Sequence, residues 1–277
     1  MADILQKSPL GKTTSYCDRY DPSLLFPIAR SQSRNALSPE LVYAGVDIWT
    51  AYEISWLNPR GLPQVAGAEF MIPADSENII ESKSFKLYLN SFNQTAFATA
   101  DEVKATLIRD LSTVAAAPVA IKLLSMSQAA SHLISNFSTV LGATSLDDQD
   151  ILIDTYQPQP EYLKVLPGEE VSESLCSDLL KSNCPVTGQP DWASICLEYQ
   201  GQPIDRAGLL RYLVSFRQHQ DFHEHCVERI FSDLMQRCAP RKLSVYARYT
   251  RRGGLDINPF RSTDKHALPP ELRLWRQ

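Results

Sequence analysis

Two five-residue segments that read Tyr-Leu-x-Ser-Phe lie far apart in the chain and indicate two similar modules. They span residues 88–92 and 212–216. Each lies in the first of two predicted helices, and the predicted elements around each follow the same order of strand, strand, helix, helix, strand. Repetition of this kind indicates repeated structure. We therefore expect an α+β protein of tandem modules, each an antiparallel sheet with two helices on one face.

The first module is predicted from alternating and helical patterns of apolar residues. Residues 47–56 alternate and predict a strand, and a second strand follows through residues 64–72. The strand face is expected to comprise Ile48, Thr50, Tyr52, Ile54 and Trp56. A helix is predicted from Ser84, with Ser82 as its expected cap. A second helix over residues 100–116, with Val103, Leu107, Ile108, Leu111 and Val114 on its apolar face, and a strand over 119–124 complete the order.

The second module repeats that order. One strand is expected within residues 165–180, and another over 192–199 with Ile195, Leu197 and Tyr199 on one face. Helices are predicted from near Asp205 and from near Phe222, and residues 243–249 alternate as a final strand. We expect an irregular lead-in over residues 1–41, a first module over 42–126, a linker region over 127–160 and a second module over 161–277.

Composition narrows the class of protein. The 277-residue chain carries a net charge of −5, which argues against direct binding of nucleic acid or of anionic membranes. No apolar run approaches the length of a membrane span, and the first residues do not resemble a secretory signal. The six cysteines are scattered without a CxxC pair. These features predict reduced thiols and a cytoplasmic location.

Cys184 and Asp191 are the first candidates for chemistry. Cys184 precedes Pro185, which disfavours a helix at the cysteine and favours a loop. Loops carry reactive groups more often than cores do. A cysteine attacks as its thiolate and therefore needs a nearby base, for which Asp191 and His223 are the candidates. A cysteine and an aspartate in one loop are, however, more often structural than catalytic.

Two further motifs have alternative interpretations. The segment from Phe222 to Cys226 is either an ordinary helix start or a zinc site with His223, His225 and Cys226 as ligands. The spacing is poor for zinc, because residues i and i+2 do not share a helical face. The arginines before the Gly253-Gly254 pair are interpreted either as part of a basic turn or as a phosphate-binding site. No GxGxxG motif follows a strand, so a Rossmann nucleotide site is not expected.

Four separated motifs resemble one known family, the NADPH-dependent 7-cyano-7-deazaguanine reductases, which are the nitrile reductases of queuosine biosynthesis. The motifs are Glu81-Ser82-Lys83-Ser84-Phe85-Lys86-Leu87-Tyr88, Ser182-Asn183-Cys184 with Asp191-Trp192, His223-Glu224, and Arg248-Tyr249-Thr250-Arg251-Arg252-Gly253-Gly254. The resemblance covers most of the chain and is closest to the long, two-module form of the family. It implies the tunnelling fold and a homodimer.

The resemblance also implies a mechanism and a set of site residues. Cys184 would attack the nitrile carbon to form a covalent thioimide, and Asp191 would protonate the nitrogen. NADPH would reduce the thioimide and then the imine, giving the 7-aminomethyl product. The implied substrate-binding residues are Ile80, Glu81, Ser82, His223 and Glu224. The implied NADPH-binding residues are Ser82, Lys83, Arg252 and Gly253. No metal is implied.

Two other functions remain open from the sequence. A zinc-dependent pterin or GTP cyclohydrolase shares the implied fold and would need about one metal ion per chain. A purine- or RNA-binding module would use Arg251 and Arg252 on RNA, and its binding would depend steeply on salt.

Overall fold

In a computed structural model, the structure describes residues 16–37, 41–129 and 134–277. The chain divides into two compact units. Unit 1 comprises Met1–Arg34, Asp47–His132 and Arg251–Asp256, and unit 2 comprises Asn35–Val46, Leu133–Thr250 and Ile257–Gln277. Both units contain helices and strands, which confirms the predicted α+β class.

Unit 1 has the predicted order of elements, with short additions. Its elements are β1 (Pro27–Ala29), α1 (Ser31–Arg34), β2 (Ala44–Leu57), β3 (Pro63–Pro73), β4 (Asn78–Ile80), α2 (Ser82–Asn90), α3 (Ala100–Ala115), β5 (Ala120–Leu124) and α4 (Met126–Ala129). Strand β3 lies between β2 and β5 and pairs with β5 in antiparallel register. Strands β1 and β4 form a separate antiparallel pair.

The core of unit 1 corrects the predicted face of β2. Trp49 and Ala51 are buried, whereas Ile48 and Thr50 are only half-buried. Further along, Ile54 and Trp56 are buried as predicted, so the alternation shifts by one residue between positions 51 and 54. A shift of this kind is what a bulge produces, and a simple period-two pattern cannot reveal it.

Aromatic rings join the first helix to the sheet of unit 1. The ring of Phe85 on α2 lies 5.1 Å from that of Trp49 on β2 and 5.0 Å from that of Phe70 on β3, centroid to centroid. Burial of Phe85, Tyr88, Leu89 and Phe92 confirms the predicted face of this helix.

Helix α3 buries a carboxylate that the apolar pattern did not predict. Asp110 is buried, whereas Ile108 and Val114, predicted for the core, are half-buried. The Asp110 carboxylate accepts hydrogen bonds from the hydroxyls of Tyr20 and Tyr88, both at 2.7 Å. A buried carboxylate needs such partners.

Unit 2 also has the predicted order, followed by additional strands. Its elements are β6 (Ile134–Ser135), α5 (Phe137–Leu141), β7 (Thr144–Ser145), β8 (Val171–Asn183), β9 (Pro190–Gly201), α6 (Arg206–Ser215), α7 (His223–Cys238), β10 (Lys242–Tyr249), β11 (Leu255–Ser262) and β12 (Arg273–Leu274). The strand order is β11-β10-β9-β8-β7. Pairs within it are antiparallel except β7 with β8, and β6 pairs with β12 in parallel.

The predicted final strand is β10, but it is not the last one. Strand β11 contains Pro259, and proline is unfavourable inside a strand because it cannot donate to the ladder. The sequence pattern therefore gave no strand there. Strand β12 comprises two residues and is too short to leave a pattern.

One apolar core joins the sheet and helices of unit 2. It contains the predicted strand residues Ile195, Leu197 and Tyr199 together with the predicted helix residues Leu209, Leu213, Ile230 and Phe231. The helix starts are also confirmed, because α6 follows the cap Asp205 and α7 follows Phe222.

The repeated Tyr-Leu-x-Ser-Phe segments make the same contacts inside their own units. In unit 1, Tyr88 on α2 donates to Asp110 on α3 at 2.7 Å. In unit 2, Tyr212 on α6 donates to Asp233 on α7 at 2.6 Å. The serine of each segment donates to the carbonyl of its tyrosine at 2.6 Å. The segments therefore have the same local structure, joining the first helix to the second.

The predicted lead-in and linker ranges contain ordered elements where they are described. In the lead-in, Arg30 is buried, and its guanidinium lies 2.5 Å from the carboxylate of Asp47. The linker range contains β6, α5 and β7, and Phe137 and Leu146 are buried there. Residues 1–15, 38–40 and 130–133 lie outside the described part of the chain. Across the described ranges, no helix is both long and apolar enough to cross a bilayer.

Candidate active site

The hairpin between β8 and β9 determines where Cys184 and Asp191 lie. Its register pairs Ser182 with Asp191. The ladder continues one step further, because the Cys184 amide donates to the Gln189 carbonyl at 2.9 Å. The amide of Gly188 closes the loop by donating to the Cys184 carbonyl at 3.1 Å. The predicted loop is confirmed for residues 184–189, whereas Asp191 lies within β9.

The side chains of this hairpin end share the face of the sheet that carries the core. Ser182 and Cys184 are two residues apart, and Ser182 lies opposite Asp191, so alternation places all three side chains on one face. Tyr249 joins them because it pairs with Ala193, two residues from Asp191. All four side chains are buried. The apolar core of unit 2 therefore ends in a polar cluster.

The first residue of α7 lies over this cluster. The imidazole of His223 stacks on the ring of Tyr249, with centroids 3.8 Å apart and an interplanar angle of 1°. Its Nε2 lies 3.3 Å from Oδ2 of Asp191. The structure thus brings together three of the predicted site residues, namely the aspartate, the histidine and, on the same sheet face, Cys184.

At this end of unit 2, Nδ1 of His223 is buried and has no hydrogen-bond partner among the described residues. The hydroxyls of Ser182 and Tyr249 are also buried, and they interact with each other. Buried polar atoms are normally paired, so the unpaired Nδ1 needs an explanation. A polar ligand in the site would supply the missing partner.

Glu224 and Cys226 also lie at the start of α7. Glu224 is buried and close enough for its charge to help raise the pKa of Tyr249, which is already raised by burial. Cys226 is fully buried, and burial raises the pKa of its thiol well above the ordinary value. The cysteine is therefore protonated and poorly reactive.

The other thiols of unit 2 are also poor candidates for a nucleophile. All six cysteines of the chain are free. Burial raises the pKa of Cys176 and Cys196, and raises that of Cys238 to about 11. Within unit 2, the candidate nucleophile is Cys184, which shares a sheet face with Asp191.

Backbone hydrogen bonds of the segment 219–221, which the motifs did not reveal, fix the residue before Cys184. The backbone amide of Asp221 donates to the Asn183 carbonyl at 3.1 Å, and the Asn183 amide donates to the His219 carbonyl at 2.8 Å. The Asp221 carboxylate lies 3.0 Å from Nδ1 of His225. Burial raises the pKa of Asp221, but hydrogen bonds with His219 and His225 outweigh burial and hold that pKa below its ordinary value.

In unit 1, Glu81 rather than Ser82 caps helix α2. The Glu81 carboxylate accepts hydrogen bonds from the backbone amides of Lys83 and Ser84, both at 2.7 Å. The prediction that Ser82 caps the helix is wrong, because Ser82 is already the first helical residue. Burial raises the pKa of Glu81, although the two amides and Lys86 oppose that shift. Ile80 is buried at the end of β4, paired with Pro27.

A tight turn of unit 1 lies against the same helix. The Arg252 amide donates to the Leu255 carbonyl at 2.9 Å, and both intervening glycines have positive φ. This geometry favours a Gly-Gly pair. A Cβ at Gly253 would lie 3.3 Å from the side chain of Lys86. The turn that carries Arg252 and Gly253 therefore meets helix α2, which also carries Lys83.

Tyr249 is the site residue that sequence reasoning missed. The sequence predicts it only as the last residue of an alternating strand and as part of a basic motif, although its place at the end of that strand could have suggested a buried ring. The zinc interpretation of His223, His225 and Cys226 has no structural counterpart. No cluster of three or more His, Cys, Asp or Glu side chains in residues 16–37, 41–129 and 134–277 could hold a metal ion.

Two family models match the chain. The model described as "Nitrile reductase, 7-cyano-7-deazaguanine-reductase N-term" covers residues 16–123, and the model described as "QueF-like protein" covers residues 190–267. A solved structure titled as the archaeosine synthase QueF-Like in the apo form aligns with 37% of this chain and 99% of its own, at 13% identity. Its TM-score of 0.31 is too low to indicate a shared fold.

Curated relatives match over nearly the whole chain. A protein of Bordetella parapertussis is 55% identical over 99% of both chains, and one of Dechloromonas aromatica is 55% identical over 100% of this chain and 98% of its own. A third, from Chromobacterium violaceum, is 55% identical over 98% of this chain and 97% of its own. Each is named NADPH-dependent 7-cyano-7-deazaguanine reductase. With this identity along its full length, the chain belongs to the family of NADPH-dependent 7-cyano-7-deazaguanine reductases.

Proposed function

We propose that the chain reduces the nitrile of 7-cyano-7-deazaguanine to the aminomethyl group through a covalent thioimide on Cys184. Membership of the family makes the chain an NADPH-dependent oxidoreductase. The observation that supports the proposal most is the polar cluster of Cys184, Asp191 and His223 at the buried end of one sheet. A nucleophile, a carboxyl group and an imidazole in one buried cluster suit covalent catalysis.

The first step joins the Cys184 sulfur to the nitrile carbon. The thiol gives up its proton, the sulfur–carbon bond forms and one π bond of the nitrile breaks. Asp191 receives the thiol proton and delivers it to the nitrogen, so no charge accumulates on that atom. His223, with its proton on Nε2, donates to the Asp191 carboxylate and holds it in place.

Later steps need hydride at the carbon and protons at the nitrogen. When bound, NADPH supplies the hydride, and two equivalents are consumed for each nitrile. Cys184 leaves as the thiolate once its carbon has been reduced, and its return to the thiol completes the cycle. A buried cluster excludes water, which would otherwise hydrolyse the thioimide and imine.

Carboxylates suit the guanine-like edge of the substrate. Its N1–H and 2-amino group are donors, and a carboxylate accepts from both. Glu224 is buried beside His223 and is the candidate in unit 2. Glu81 is the candidate in unit 1, where Oε1 accepts from the Lys83 amide and the Ser82 hydroxyl and Oε2 accepts from the Ser84 amide. Ile80 and Ser82 flank this carboxylate and complete the proposed substrate-binding set.

Unit 1 also provides groups that fit NADPH. The absence of a Cβ at Gly253 leaves the turn open beside Lys86, and the cations Lys83, Lys86 and Arg252 belong to this helix and this turn. Phosphate binds well to cations combined with exposed backbone amides. We assign Ser82, Lys83, Arg252 and Gly253 to the cofactor.

The proposal extends to the fold type and the assembly. Each unit contains two long strands, two helices and a further strand in this order, with additional elements around them, which supports the tunnelling fold that the family implies. We propose that the two modules comprise residues 42–126 and 161–277. We also propose a cytoplasmic homodimer without direct nucleic-acid binding, and sedimentation of the purified chain tests the dimer.

The reaction is tested by mixing the chain with 7-cyano-7-deazaguanine and NADPH. We expect NADPH absorbance to fall by two equivalents per nitrile, with the amine detected by mass spectrometry. Omission of the nitrile should leave the absorbance unchanged. Oxidation of NADPH without amine formation would contradict the proposal.

A further inference from the structure

The side chain of Gln277 is buried and fully hydrogen-bonded, although it belongs to no motif. Its Oε1 accepts from Arg248 Nε at 2.7 Å and from the Leu274 amide at 3.2 Å. Its Nε2 donates to the Tyr249 carbonyl at 3.1 Å and to the Asn258 side-chain oxygen at 2.8 Å. A side-chain amide has two donors and a two-lone-pair acceptor, so this one is saturated.

These bonds fix the backbone at the end of β10. The register of β10 with β11 pairs Ser244 to Tyr246, and Tyr246 is three residues before Tyr249. At Tyr249, side chains take the place of a ladder partner, since the amide donates to Asn258 Oδ1 at 3.1 Å and the carbonyl accepts from Gln277. On this side of the strand, the position of Tyr249 therefore depends on Gln277 and Asn258, while β9 pairs with its other side through Ala193.

The position of Tyr249 in turn determines the plane of the His223 ring. The two rings are parallel within 1° and 3.8 Å apart, and Nε2 of the same imidazole lies 3.3 Å from Asp191. The Tyr249 ring is held by its backbone, by stacking and by the interaction of its hydroxyl with Ser182. A shift of the strand end would rotate His223 away from Asp191.

We propose that Gln277 is a positioning residue for the nitrile reduction. It acts through Tyr249, whose ring orients the His223 imidazole toward Asp191. The expected effect of Gln277 on catalysis rests on the proposed function. The expected effect on the environment of the His223 ring does not require that function.

The test uses full-length variants at Gln277 and at two control positions. Gln277→Leu removes both donors and the acceptor. Gln277→Glu keeps an acceptor for Arg248 but places an oxygen against the Tyr249 carbonyl. Trp275→Ala is the local control, because that side chain is 81% exposed. Tyr199→Phe is a control for general loss of stability, because it removes a 2.7 Å bond to Glu173 at the other end of β9.

We expect adduct formation on Cys184 to slow by about ten- to a hundredfold in Gln277→Leu, as misplaced catalytic groups do. The KM for NADPH should stay within about twofold of wild type, because the substitution affects the transition state and not the ground-state binding of NADPH. The imidazole ¹H–¹⁵N resonances of His223, assigned with a His223→Asn variant, should shift. Neither control should alter the rate or the resonances, even where Tyr199→Phe lowers the melting temperature.

A lowered melting temperature with unchanged His223 resonances in Gln277→Leu would overturn the inference. If that variant does not fold, Gln277→Glu carries the same test, with the same expected and overturning results. Failure of the proposed function is a separate outcome. It appears as a wild-type chain that forms no adduct with the nitrile, and in that case the resonances still decide whether Gln277 positions His223.

Discussion

The Nε2 atom of His223 lies 3.3 Å from Oδ2 of Asp191, and both side chains are buried, at 9% and 3% exposure. This contact joins the start of α7 to the second strand of the hairpin that carries Cys184. With the proton on Nε2, the buried Nδ1 is an acceptor that faces no described partner. The ring can therefore hold Asp191 and accept from a substrate at the same time.

Replacement of Asp191 by Asn should stop the proton transfer to the nitrile nitrogen. General acid catalysis contributes about a hundredfold or more, so we expect at least that loss in the rate of adduct formation. Nitrile binding should change much less. A mass-spectrometric time course measures the rate, with the exposed Asp150→Asn as control. Adduct formation at the wild-type rate in Asp191→Asn would exclude Asp191 as the acid.

Glu81 should give the stability of the chain a specific pH dependence. Burial raises its pKa above the ordinary value of 4.5. A raised pKa means that the folded chain holds this proton more tightly than the unfolded chain. Stability relative to Glu81→Gln should therefore be greatest below pH of about 4.3 and should fall as the pH rises through the folded pKa.

Melting curves of wild type and Glu81→Gln between pH 4 and pH 8 measure that difference. Glu102→Gln, an exposed acid in the first turn of α3, is the matched control and should show no such trend. If the stability of wild type relative to Glu81→Gln instead increased with rising pH, the raised pKa assigned to Glu81 would be contradicted.

Lys83→Ala and Gly253→Ala should weaken NADPH binding without altering nitrile binding. The first removes a cation. The second adds a Cβ 3.3 Å from Lys86 at a φ of 57°, which a side chain tolerates poorly. We expect the KM for NADPH to rise about tenfold, while calorimetric titration with the nitrile stays near wild type. Arg60→Ala, an exposed turn residue of unit 1, is the control. Loss confined to nitrile binding would refute the assignment.

The repeated tyrosines should differ in their contribution to stability. Asp233 accepts a 2.6 Å bond from Tyr212, and its next partner, Arg229, lies 3.7 Å away. Loss of the Tyr212 hydroxyl would leave the buried Asp233 carboxylate poorly paired. We expect this to lower the free energy of unfolding by about 2 kcal/mol.

Asp110 would keep Tyr20 at 2.7 Å and Arg109 at 2.9 Å in a Tyr88→Phe variant. We therefore expect Tyr212→Phe to destabilise its unit more than Tyr88→Phe, by about 1 kcal/mol. Hydrogen exchange of α3 and α7 measures each unit separately. Equal losses of stability in the two variants would show that Tyr20 and Arg109 do not compensate for the missing Tyr88 hydroxyl.

The sequence revealed the elements that depend on local pattern. Helix faces such as that of Phe85 and Tyr88 follow from periodicity alone, and the Tyr-Leu-x-Ser-Phe repeat indicated the two modules. The β2 face was predicted correctly at Ile54 and Trp56 but wrongly at Ile48 and Thr50, because a local shift reverses the faces of the side chains on one side of it. The cap of α2 was misassigned by one residue, because Glu81 and Ser82 can each accept from backbone amides.

The site was predictable only in part, since its geometry depends on residues distant in sequence. Cys184 and Asp191 stand close in the chain, and the motif resemblance named His223. Nothing in the pattern indicates that Tyr249 stacks on His223 or that Gln277 fixes the strand end. Such contacts arise from packing between elements, and no local signal encodes them.

The most direct measurement is peptide mass spectrometry after the chain is mixed with 7-cyano-7-deazaguanine without NADPH. Addition of a thiol to a nitrile has no leaving group, so the labelled peptide should gain the full mass of the substrate. We expect this mass on the peptide that contains Cys184, at about one equivalent per chain, with Cys196→Ala labelled normally and Cys184→Ala unlabelled. An adduct on another cysteine, or none on Cys184 while amine still forms with NADPH, would contradict the covalent mechanism.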